Sequence, residues 1–350
     1  MLKAIQELLN DPHLTYTETL QALWSGYGQV SRYYSPKLES SVIVKSVTPP
    51  QQVNHPRGWH SDAGHQRKIN SYKVEAKFYQ HYAIHCKNAC YVPQLIALSP
   101  TENNDNEQII IMEDLQHLGF NDKNSSLSLT DIKVVINWLA NFHARFIEYD
   151  ANDLWPIGTY WHLATRQDEF NSMQNGVLKQ AAHFIDNQLN NAKYQTVIHG
   201  DAKLANFCFG SFPINTASRD DTENHNKLEG KPTSQVNQFN QAKRVAAVDF
   251  QYVGKGVGVK DLAYFLGSCL TDNELTSLHS ELLDYYFKRL SIACVEHKQG
   301  VDFSELEIEW RKLYSFANAD FHRFLQGWSP EHQKINSYLQ AQTNIALAEF

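Results

Sequence analysis

Hydrophobic and polar residues follow two different spacings along the chain, and strand-like spacing dominates its first third. Residues 29–34 and 41–47 are rich in β-branched and aromatic side chains, which favours β-strands. Residues 108–115 form an apolar run that ends in acidic residues, a pattern typical of a buried strand. In residues 71–79 apolar side chains instead recur at helical spacing. The first third is therefore predicted to be a small, strand-rich lobe with one helix.

The rest of the chain is predicted to be mostly helical. Residues 129–150 carry apolar side chains three and four positions apart, and Thr130 and Asp131 are suited to cap the start of this helix. Helical spacing recurs in residues 262–270, 274–297, 303–327 and 331–350. Residues 211–243 are instead rich in Asn, Asp, Gln, Ser and Thr, which predicts an exposed, flexible insertion. Together these patterns predict an α+β chain whose larger C-terminal part is mainly helical.

Composition narrows the class of protein. The 350 residues are 42% hydrophobic and 12% aromatic, enough for a sizeable core in one large bilobal domain or in two domains. A net charge of -7 argues against a general nucleic-acid binder. No segment approaches the roughly 20 apolar residues that span a bilayer, and the N-terminus lacks the apolar run of a signal peptide. We therefore predict a cytoplasmic protein with reduced cysteines and without a nucleic-acid or membrane partner.

Two apolar runs end in residues that are suited to phosphoryl transfer. Residues 197–207 contain a His-Gly-Asp turn in which four residues separate Asp201 from Asn206, and a later apolar run ends at Asp249. Asp201 would accept or orient the proton of an attacking hydroxyl, while Asn206 and Asp249 would bind Mg²⁺. His199 is predicted to brace the loop, because Asp201 already holds the position that faces the substrate. The alternative is that two unrelated buried strands end here.

Three residues of the strand-rich lobe are candidates for binding a nucleotide phosphate. Gly26 and Gly28 lie in a turn that could cover phosphates, although an ordinary hairpin turn would have the same residues. Lys45 ends a Val-Ile-Val run, where its ammonium could clamp phosphate oxygens, or could simply be solvated. On the predicted helix, Glu75 could reach Lys45 and hold it, although neighbouring lysines offer it surface partners.

The acidic end of the strand at residues 108–115 is a candidate hinge between two lobes. In that interpretation an adenine would hydrogen-bond to backbone groups around Glu113 and Leu115, and the side chains would only shape the edge of the site. A plain core strand explains the same residues. The assignment to cofactor binding therefore depends on the surrounding motifs.

Three clusters of side chains admit more than one interpretation. Four residues have a spacing that zinc ligands could use: His81, His85, Cys86 and Cys90. No second Cys pair follows, and a continuing helix explains them more simply. Residues 55–68 combine Pro, Gly, His and Arg, which predicts a loop that contacts an anionic substrate or nucleotide, or a structural connector. Four tryptophans could form an aromatic wall or belong to the core. They are Trp155, Trp161, Trp310 and Trp328.

With these motifs in this order, the chain resembles the aminoglycoside phosphotransferase and choline kinase superfamily, and its ecdysteroid-kinase-like branch most. The Asp-Phe-Gln that begins at Asp249, the hinge at residues 112–115 and the helix at residues 74–79 suggest that branch. The resemblance implies a bilobal, protein-kinase-like fold with a small antiparallel-sheet lobe. Residues 1–115 would form the nucleotide-binding lobe and residues 116–350 the catalytic lobe. It further implies ATP, Mg²⁺ and a small-molecule hydroxyl acceptor.

The resemblance also gives roles to two further residues and ranks the alternatives. Asp261 matches a family aspartate that would brace the catalytic loop, and Lys203 lies where protein kinases have a lysine that contacts the transferred phosphate. A protein kinase is disfavoured, because eleven residues between Asp249 and Asp261 leave no room for an activation segment. A catalytically silent nucleotide-binding module is disfavoured because no catalytic position is lost. The pattern does not distinguish sterol-like, amino-alcohol, sugar and antibiotic acceptors.

Overall fold

The computed structural model describes residues 1–50, 62–100, 107–122, 127–213 and 241–350. The helices, in chain order, are α1 (Leu2–Leu9), α2 (Asp62–His81), α3 (Leu129–Arg145), α4 (Gln167–Ser172), α5 (Val177–Gln180), α6 (Ala182–Asn190), α7 (Val259–Cys269), α8 (Asp272–Glu296), α9 (Phe303–Trp328) and α10 (Ser337–Leu347). The strands are β1 (Thr15–Ala22), β2 (Gly28–Ser35), β3 (Ser40–Val47), β4 (Leu95–Leu98), β5 (Gln108–Glu113), β6 (Thr196–Ile198), β7 (Phe207–Pro213), β8 (Gln241–Ala247) and β9 (Gly254–Gly256). Within these ranges, no helix is both long and apolar enough to cross a membrane.

The N-terminal part is one antiparallel sheet with strand order β1-β2-β3-β5-β4. Alternate residues of a strand share a face, so Val42 and Val44 of the central strand β3 point to one side. There they pack with Ile5 and Leu9, which buries α1 against the sheet. Lys45, the next residue, points to the other side, where its ammonium meets α2. The alternation in β3 thus directs a charge toward the interior of the molecule.

The helical part packs around α3 and shares its core with α2. Trp138 and Phe142 of α3 have no exposed surface. Phe78 of α2 stacks on Phe250, with 3.8 Å between ring centroids, and Phe142 lies 6.1 Å from the same ring. Two small antiparallel sheets, β6-β9 and β7-β8, belong to this part. The aromatic core therefore fixes the segment after β8 against the helix that faces Lys45.

The predicted α+β fold class, with an antiparallel sheet followed by helices, is confirmed. The predicted strands correspond to β2, β3 and β5, and the helical patterns to α2, α3 and α7 to α10. Several helix boundaries differ. The third helix ends at Arg145, because Phe146 leaves the helical conformation with ψ of 15°. The last helix begins at Ser337, where the Asn336 side chain accepts from the N–H of Leu339 and caps it.

The predicted cap of α3 is wrong for Thr130. Ser128 is the N-cap: its hydroxyl accepts from the N–H of Asp131 at 3.2 Å, and Asp131 accepts from the N–H of Ser128 at 2.9 Å. This reciprocal capping box satisfies two amide donors at the helix start. Asp131 therefore has a capping role, but as the third residue of the helix.

Two predicted loops are partly ordered elements. Residues 62–68 are the first turns of α2, so the prediction of a loop is wrong for them. Residues 211–213 and 241–243 pair in the β7-β8 hairpin, where Ser211 lies opposite Lys243. Polar side chains do not prevent this pairing, because backbone groups form the ladder. Residues 55–61 and 214–240 lie outside the described residues.

Candidate active site

A cleft of about 950 Å³ lies between the antiparallel sheet and the helical part. Its size is suited to a small-molecule site, since such pockets usually measure about 300 to 1,000 Å³. Eight of the ten residues that the sequence nominated line it: Lys45, Glu75, Glu113, Leu115, Asp201, Lys203, Asn206 and Asp249. The fold thus brings together residues that are far apart in sequence.

Lys45 on β3 is 4% exposed and forms two ion pairs inside the cleft. Its Nζ lies 2.6 Å from Glu75 Oε2 on α2 and 3.3 Å from Asp249 Oδ1. Burial alone would lower the pKa of Lys45, but the two carboxylates outweigh it and raise the pKa. Lys45 therefore stays charged and links α2 to the carboxylate that follows β8. The Glu75–Lys45 contact suggested by the sequence is present.

Asp261 at the start of α7 holds the loop that follows β6. It accepts hydrogen bonds from the backbone N–H groups of His199, at 2.6 Å, and Gly200, at 2.9 Å. His143 on α3 contacts the same carboxylate through Nε2 at 3.1 Å, and its Nδ1 contacts the Tyr286 hydroxyl at 2.8 Å. A buried carboxylate with this many donors is fixed in place. Asp261 thus braces the loop, as the resemblance implied.

His199 is fully buried and connects the two halves of the site. Its Nε2 donates to the carbonyl oxygen of Val248 at 3.0 Å, and its Nδ1 accepts from the N–H of Asp201 at 3.2 Å. Because both ring nitrogens are engaged with backbone groups, neither faces a substrate. The two hydrogen bonds agree with the prediction that His199 braces the loop.

Gly200 allows the backbone to turn into this loop, and its replacement should be costly. It has a φ of 78°, and a Cβ here would lie 2.0 Å from the carbonyl oxygen of Tyr252. Gly200→Ala is expected to lower the free energy of unfolding by about 2 to 5 kcal/mol, from left-handed strain plus steric overlap. Urea unfolding of Gly26→Ala is the control, since Gly26 has a φ of 76° and no atom within 4 Å. Equal losses in the two variants would contradict the steric argument.

The two carboxylate oxygens of Asp201 have different surroundings. Its Oδ2 accepts from Lys203 Nζ at 2.8 Å and from Asn206 Nδ2 at 3.2 Å. Its Oδ1 is buried, and no described residue donates a hydrogen bond to it. Burial raises the pKa of Asp201, and Lys203 opposes that increase. Oδ1 is therefore the carboxylate oxygen that is left without a recorded donor among the described side chains, close to the Tyr264 hydroxyl.

Asp249 is held as an anion at the back of the cleft. Its φ of 69° is uncommon outside glycine, and Gln251 Nε2 donates to its Oδ1 at 2.5 Å. Burial would raise the pKa of Asp249, but Lys45, Lys68 and Lys203 lower it to about 2. The carboxylate is consequently charged at any physiological pH. Strained backbone and dense pairing at one carboxylate are typical of a functional position.

Asn206 links the loop to the strand that precedes Asp249. Its Nδ2 donates to the backbone oxygen of Asp201 at 2.8 Å, and its own backbone oxygen accepts from the N–H of Val248 at 2.9 Å. These bonds leave the amide oxygen of Asn206 as a possible metal ligand. Asn206 and Asp249 line the same cleft, and a neutral amide oxygen together with a carboxylate is a donor set that suits Mg²⁺.

The segment after β5 offers a backbone donor at the edge of the cleft. The Glu113 side chain accepts from the Tyr91 hydroxyl at 2.6 Å and from the N–H of Gln94 at 3.0 Å. The carbonyl oxygen of Leu115 accepts from the N–H of Phe120 at 2.9 Å. No described residue accepts a hydrogen bond from the N–H of Leu115. This N–H is a backbone donor to which the edge of an adenine could hydrogen-bond.

Gly26 and Gly28, predicted to cover phosphates, are the two nominated residues that do not line the cleft. Gly28 has a φ of 132°, and a Cβ on it would lie 2.0 Å from the carbonyl oxygen of Ser46. The glycine is thus needed for close packing of β2 on β3. The alternative interpretation, a hairpin turn, accounts for this residue.

Lys68 and Gln251 also line the cleft. Lys68 belongs to residues 55–68, for which the sequence indicated either a contact to an anionic substrate or nucleotide or a structural connector, but neither residue was singled out. Lys68 Nζ donates to Gln251 Oε1 at 2.8 Å, and the Ser71 hydroxyl donates to the same oxygen at 3.3 Å. Gln251 therefore bridges α2 to the carboxylate of Asp249. The sequence contained a signal for this helix face, because Lys68, Ser71 and Glu75 lie three and four positions apart. This spacing was missed because residues 62–68 were interpreted as a loop.

Aromatic side chains also line the cleft. The hydroxyls of Tyr160 and Tyr264 are 3.1 Å apart, and both residues were missed because 104 positions separate them. Trp328, one of the four tryptophans considered, lines the cleft as well. Trp161 and Trp310 are buried in the core. The aromatic-wall interpretation therefore holds for Trp328 but not for these two.

The four residues with zinc-like spacing lie at the end of α2 and just after it. Cys86 and Cys90 are buried, and the Cys86 thiol donates to the backbone oxygen of Tyr82 at 3.7 Å. Among the described residues, no group of three or more His, Cys, Asp or Glu side chains could hold a metal ion.

Comparison with known proteins finds one matching family. Residues 29–153 and 234–298, more than half of the chain, match the model of the ecdysteroid kinase-like family. No curated protein matches. Solved structures similar to this chain include a microcompartment-associated aminopropanol kinase, 10% identical, with a TM-score of 0.46 and coverage of 99% of this chain and 96% of that chain. The choline kinase LicA from Streptococcus pneumoniae is 11% identical, with a TM-score of 0.44 and coverage of 100% and 99%.

Proposed function

This chain belongs to the ecdysteroid kinase-like family, and we propose that it is a kinase that transfers the γ-phosphate of ATP to a hydroxyl group of a small molecule. The observation that carries the proposal is the convergence of three groups in one cleft: the Lys45–Glu75 ion pair, the carboxylate of Asp201 and the charged carboxylate of Asp249. Residues 1–115 would form the nucleotide-binding lobe and residues 116–350 the catalytic and substrate-binding lobe.

In this proposal Asp201 is the catalytic base. Its Oδ1 takes the proton of the acceptor hydroxyl, the acceptor oxygen forms a bond to the γ-phosphorus, and the bond from the γ-phosphorus to the bridging oxygen breaks to release ADP. Lys203 and Asn206 hold Oδ2, so that the carboxylate cannot rotate away. Lys203 is also close enough to the base to contact the transferred phosphate.

The nucleotide would lie between the two lobes. Lys45 would contact phosphate oxygens, the N–H of Leu115 would bind the adenine edge, and Asn206 with Asp249 would hold Mg²⁺. A bound Mg²⁺ neutralises charge on the phosphates during transfer. The donor set fits this ion, because Asp249 is ionised and Asn206 retains its amide oxygen.

A protein substrate is less compatible with this site. The eleven residues between Asp249 and Asp261 include β9, which pairs with β6, and the start of α7 at Val259. These residues therefore form secondary structure, and they do not provide a separate segment on which a peptide substrate could bind. Phosphorylation of mixed protein substrates would contradict this assignment.

The proposal is tested by ADP release with ATP and Mg²⁺ across sterols, ring alcohols, sugars, amino alcohols and aminoglycosides. Asp249→Ala serves as the blank, because it removes the metal carboxylate. Acceptor-dependent release by the wild-type protein alone supports the kinase. If ATP protects the protein against heat but no acceptor stimulates release, the silent nucleotide-binding module takes its place.

The pH dependence of transfer should report the ionisation of Asp201. Burial raises the pKa of this carboxyl and Lys203 opposes the increase, so Lys203→Met should raise the pKa further. Because only the ionised base accepts a proton, the acidic limb of kcat/KM is expected to move to higher pH in this variant. The profile is compared with that of Lys288→Met, which changes an exposed lysine on α8. An unmoved limb would contradict the assignment of Asp201 as the titrating base.

A further inference from the structure

The carboxylate of Asp249 uses only one of its two oxygens for contacts inside the protein. Its Oδ1 accepts from Gln251 Nε2 at 2.5 Å and from Lys45 Nζ at 3.3 Å. No described residue donates a hydrogen bond to Oδ2, and this oxygen is not buried. The Asp249 side chain is 33% exposed and lines the cleft. Oδ2 therefore remains available to a ligand, whereas Oδ1 is held.

Lys68 sets the orientation of the Gln251 side-chain amide. Lys68 Nζ donates to Gln251 Oε1 at 2.8 Å, and an ammonium group has donors only. The amide oxygen must therefore face Lys68, which turns the NH₂ group toward Asp249. The opposite orientation would place the amide oxygen against a carboxylate and the NH₂ group against an ammonium. One lysine on α2 thus determines which end of Gln251 meets Asp249.

The backbone around Gln251 is held on both sides of the residue. Trp155 Nε1 donates to the carbonyl oxygen of Gln251 at 2.8 Å, and the ring of the preceding Phe250 stacks on Phe78 of α2 at 3.8 Å. Gln251 itself is only 6% exposed. Because packing and hydrogen bonds restrict the side chain, it can hold a partner in one place.

Lys45 is a weaker anchor for Asp249 than Gln251 is. Its Nζ lies 2.6 Å from Glu75 and 3.3 Å from Asp249, so the ammonium group is closer to Glu75. In the proposed function Lys45 also contacts phosphate oxygens, which would compete with its contact to Asp249. The amide of Gln251 carries no charge, so it orients the carboxylate without neutralising it. Neighbours of this kind orient metal ligands in many proteins.

We propose that Gln251 is a positioning residue of the metal site: it holds Oδ1 of Asp249 and leaves Oδ2 to bind Mg²⁺, while Lys68 keeps its amide in the required orientation. This inference rests on the proposed function and adds two residues to its metal site. It also gives a role to the glutamine of the Asp-Phe-Gln sequence that begins at Asp249.

The test is the binding of Mn²⁺, in place of Mg²⁺, to the protein saturated with ADP, followed by EPR. Gln251→Met removes the hydrogen bonds of the amide at nearly constant size and should weaken Mn²⁺ binding by about 10- to 100-fold. Affinity for ADP in EDTA should change less than about twofold, since no contact with the nucleotide is assigned to Gln251. In steady-state transfer the apparent KM for Mg²⁺ should rise, while kcat at saturating Mg²⁺ changes less than about threefold.

Variants of Lys68 test the orientation of the amide. Lys68→Met should weaken Mn²⁺ binding by about 3- to 10-fold, because one hydrogen bond is lost and Ser71 can still donate to the same oxygen at 3.3 Å. Lys68→Arg keeps a group that only donates, so it should retain most of the affinity. The matched controls are Lys73→Met and Gln80→Met, which change exposed residues of α2 and should bind Mn²⁺ as the wild type does.

Two results would overturn the role of Gln251. One is an Mn²⁺ affinity of Gln251→Met equal to that of the controls. The other is an equal loss of ADP affinity with and without metal, which would indicate a structural role. If Gln251→Met does not fold, Lys68→Met decides, because its side chain is partly exposed, and wild-type Mn²⁺ affinity in this variant would overturn the inference.

The binding measurement needs no acceptor, so it separates this inference from the proposed function. Weaker Mn²⁺ binding in Gln251→Met, with no acceptor phosphorylated by the wild-type protein, would support the role of Gln251 and contradict the kinase. Phosphorylation of an acceptor with unchanged Mn²⁺ binding in Gln251→Met would do the reverse. A wild-type protein that binds no Mn²⁺ with ADP would overturn the metal site, and the role of Gln251 with it.

Discussion

Asp201→Asn is expected to lower kcat by about 100- to 10,000-fold, because it removes the group that takes the proton of the acceptor hydroxyl. The substitution keeps the size of the side chain, and Lys203 and Asn206 remain nearby to position it. Affinity for ATP should therefore change less than about twofold, since no contact with the nucleotide is assigned to Asp201. Steady-state transfer and equilibrium binding of ATP measure the two effects separately.

The matched control is Asp284→Asn, which changes a carboxylate that is 64% exposed and pairs with Arg311 on the surface. It should retain wild-type turnover, because surface pairs contribute little. Turnover by Asp201→Asn within about tenfold of wild type would mean that another group accepts the proton, or that none is needed.

Lys45→Met is expected to affect stability as well as activity. Glu75 has 1% of its side chain exposed, so losing Lys45 leaves a buried carboxylate without its closest cation. Removing one partner of a buried pair typically costs about 3 to 5 kcal/mol. Turnover should fall by about 100- to 1,000-fold with the phosphate contact, in line with the loss of one electrostatic donor at a reacting phosphate. Urea unfolding and steady-state kinetics measure the two losses.

The stability loss in Lys45→Met should depend on pH in a defined direction. Burial already raises the pKa of Glu75, and Lys45 is the first influence that opposes it, so the folded-state pKa rises further in the variant. A folded carboxyl with a raised pKa is disfavoured once the unfolded carboxyl can ionise, above a pH of about 4.3. Because the folded-state pKa of Glu75 is raised in the wild-type protein as well, the deficit relative to wild type stays constant until the pH passes that value, and then grows up to the higher folded-state pKa of the variant.

The double variant Lys45→Met, Glu75→Gln separates the two roles. It removes the uncompensated charge and should recover most of the lost stability, but not the transfer activity. Lys133→Met is the surface control, since the Lys133–Glu281 pair is 30% and 56% exposed and should contribute less than about 1 kcal/mol. A double variant that regains activity, or a single variant as stable as the control, would contradict the assignment of Lys45.

Short-range patterns in the sequence were sufficient to identify the residues of the loop that carries the proposed base. Asp201 and Asn206 belong to one apolar run and its turn, and Asp249 ends a second apolar run. The ring of His199, which follows β6, bonds to the backbone of Val248 after β8 and so holds the two runs side by side. The partner of Lys45 was also accessible, because α2 has regular spacing around Glu75. In both cases a periodic element determines where the side chain points.

Long-range contacts explain most of what sequence reasoning missed. Tyr160 and Tyr264 come from distant segments and carry no spacing that relates them to Asp201. Lys68 lay in the candidate anion-contacting segment 55–68, but the Pro and Gly residues of that segment predicted a loop where α2 already begins. Gly28 had the residue type of a phosphate loop, but packing against Ser46 is what requires glycine there. The type of a residue alone does not show whether ligand binding or packing requires it at its position.

In the proposed reaction this cleft moves a phosphoryl group from ATP to a hydroxyl of a small molecule, and Asp201 and Asp249 are the two carboxylates that the reaction needs. The most direct measurement is mass spectrometry of the acceptor after incubation with Mg²⁺ and ATP labelled in the γ-phosphate. The wild-type protein is expected to form a phosphate ester that carries the label, whereas Asp201→Asn and Asp249→Ala are expected to form none. Labelled product formed equally by both variants, or ATP turnover by wild type that leaves every acceptor unmodified, would contradict the proposed reaction.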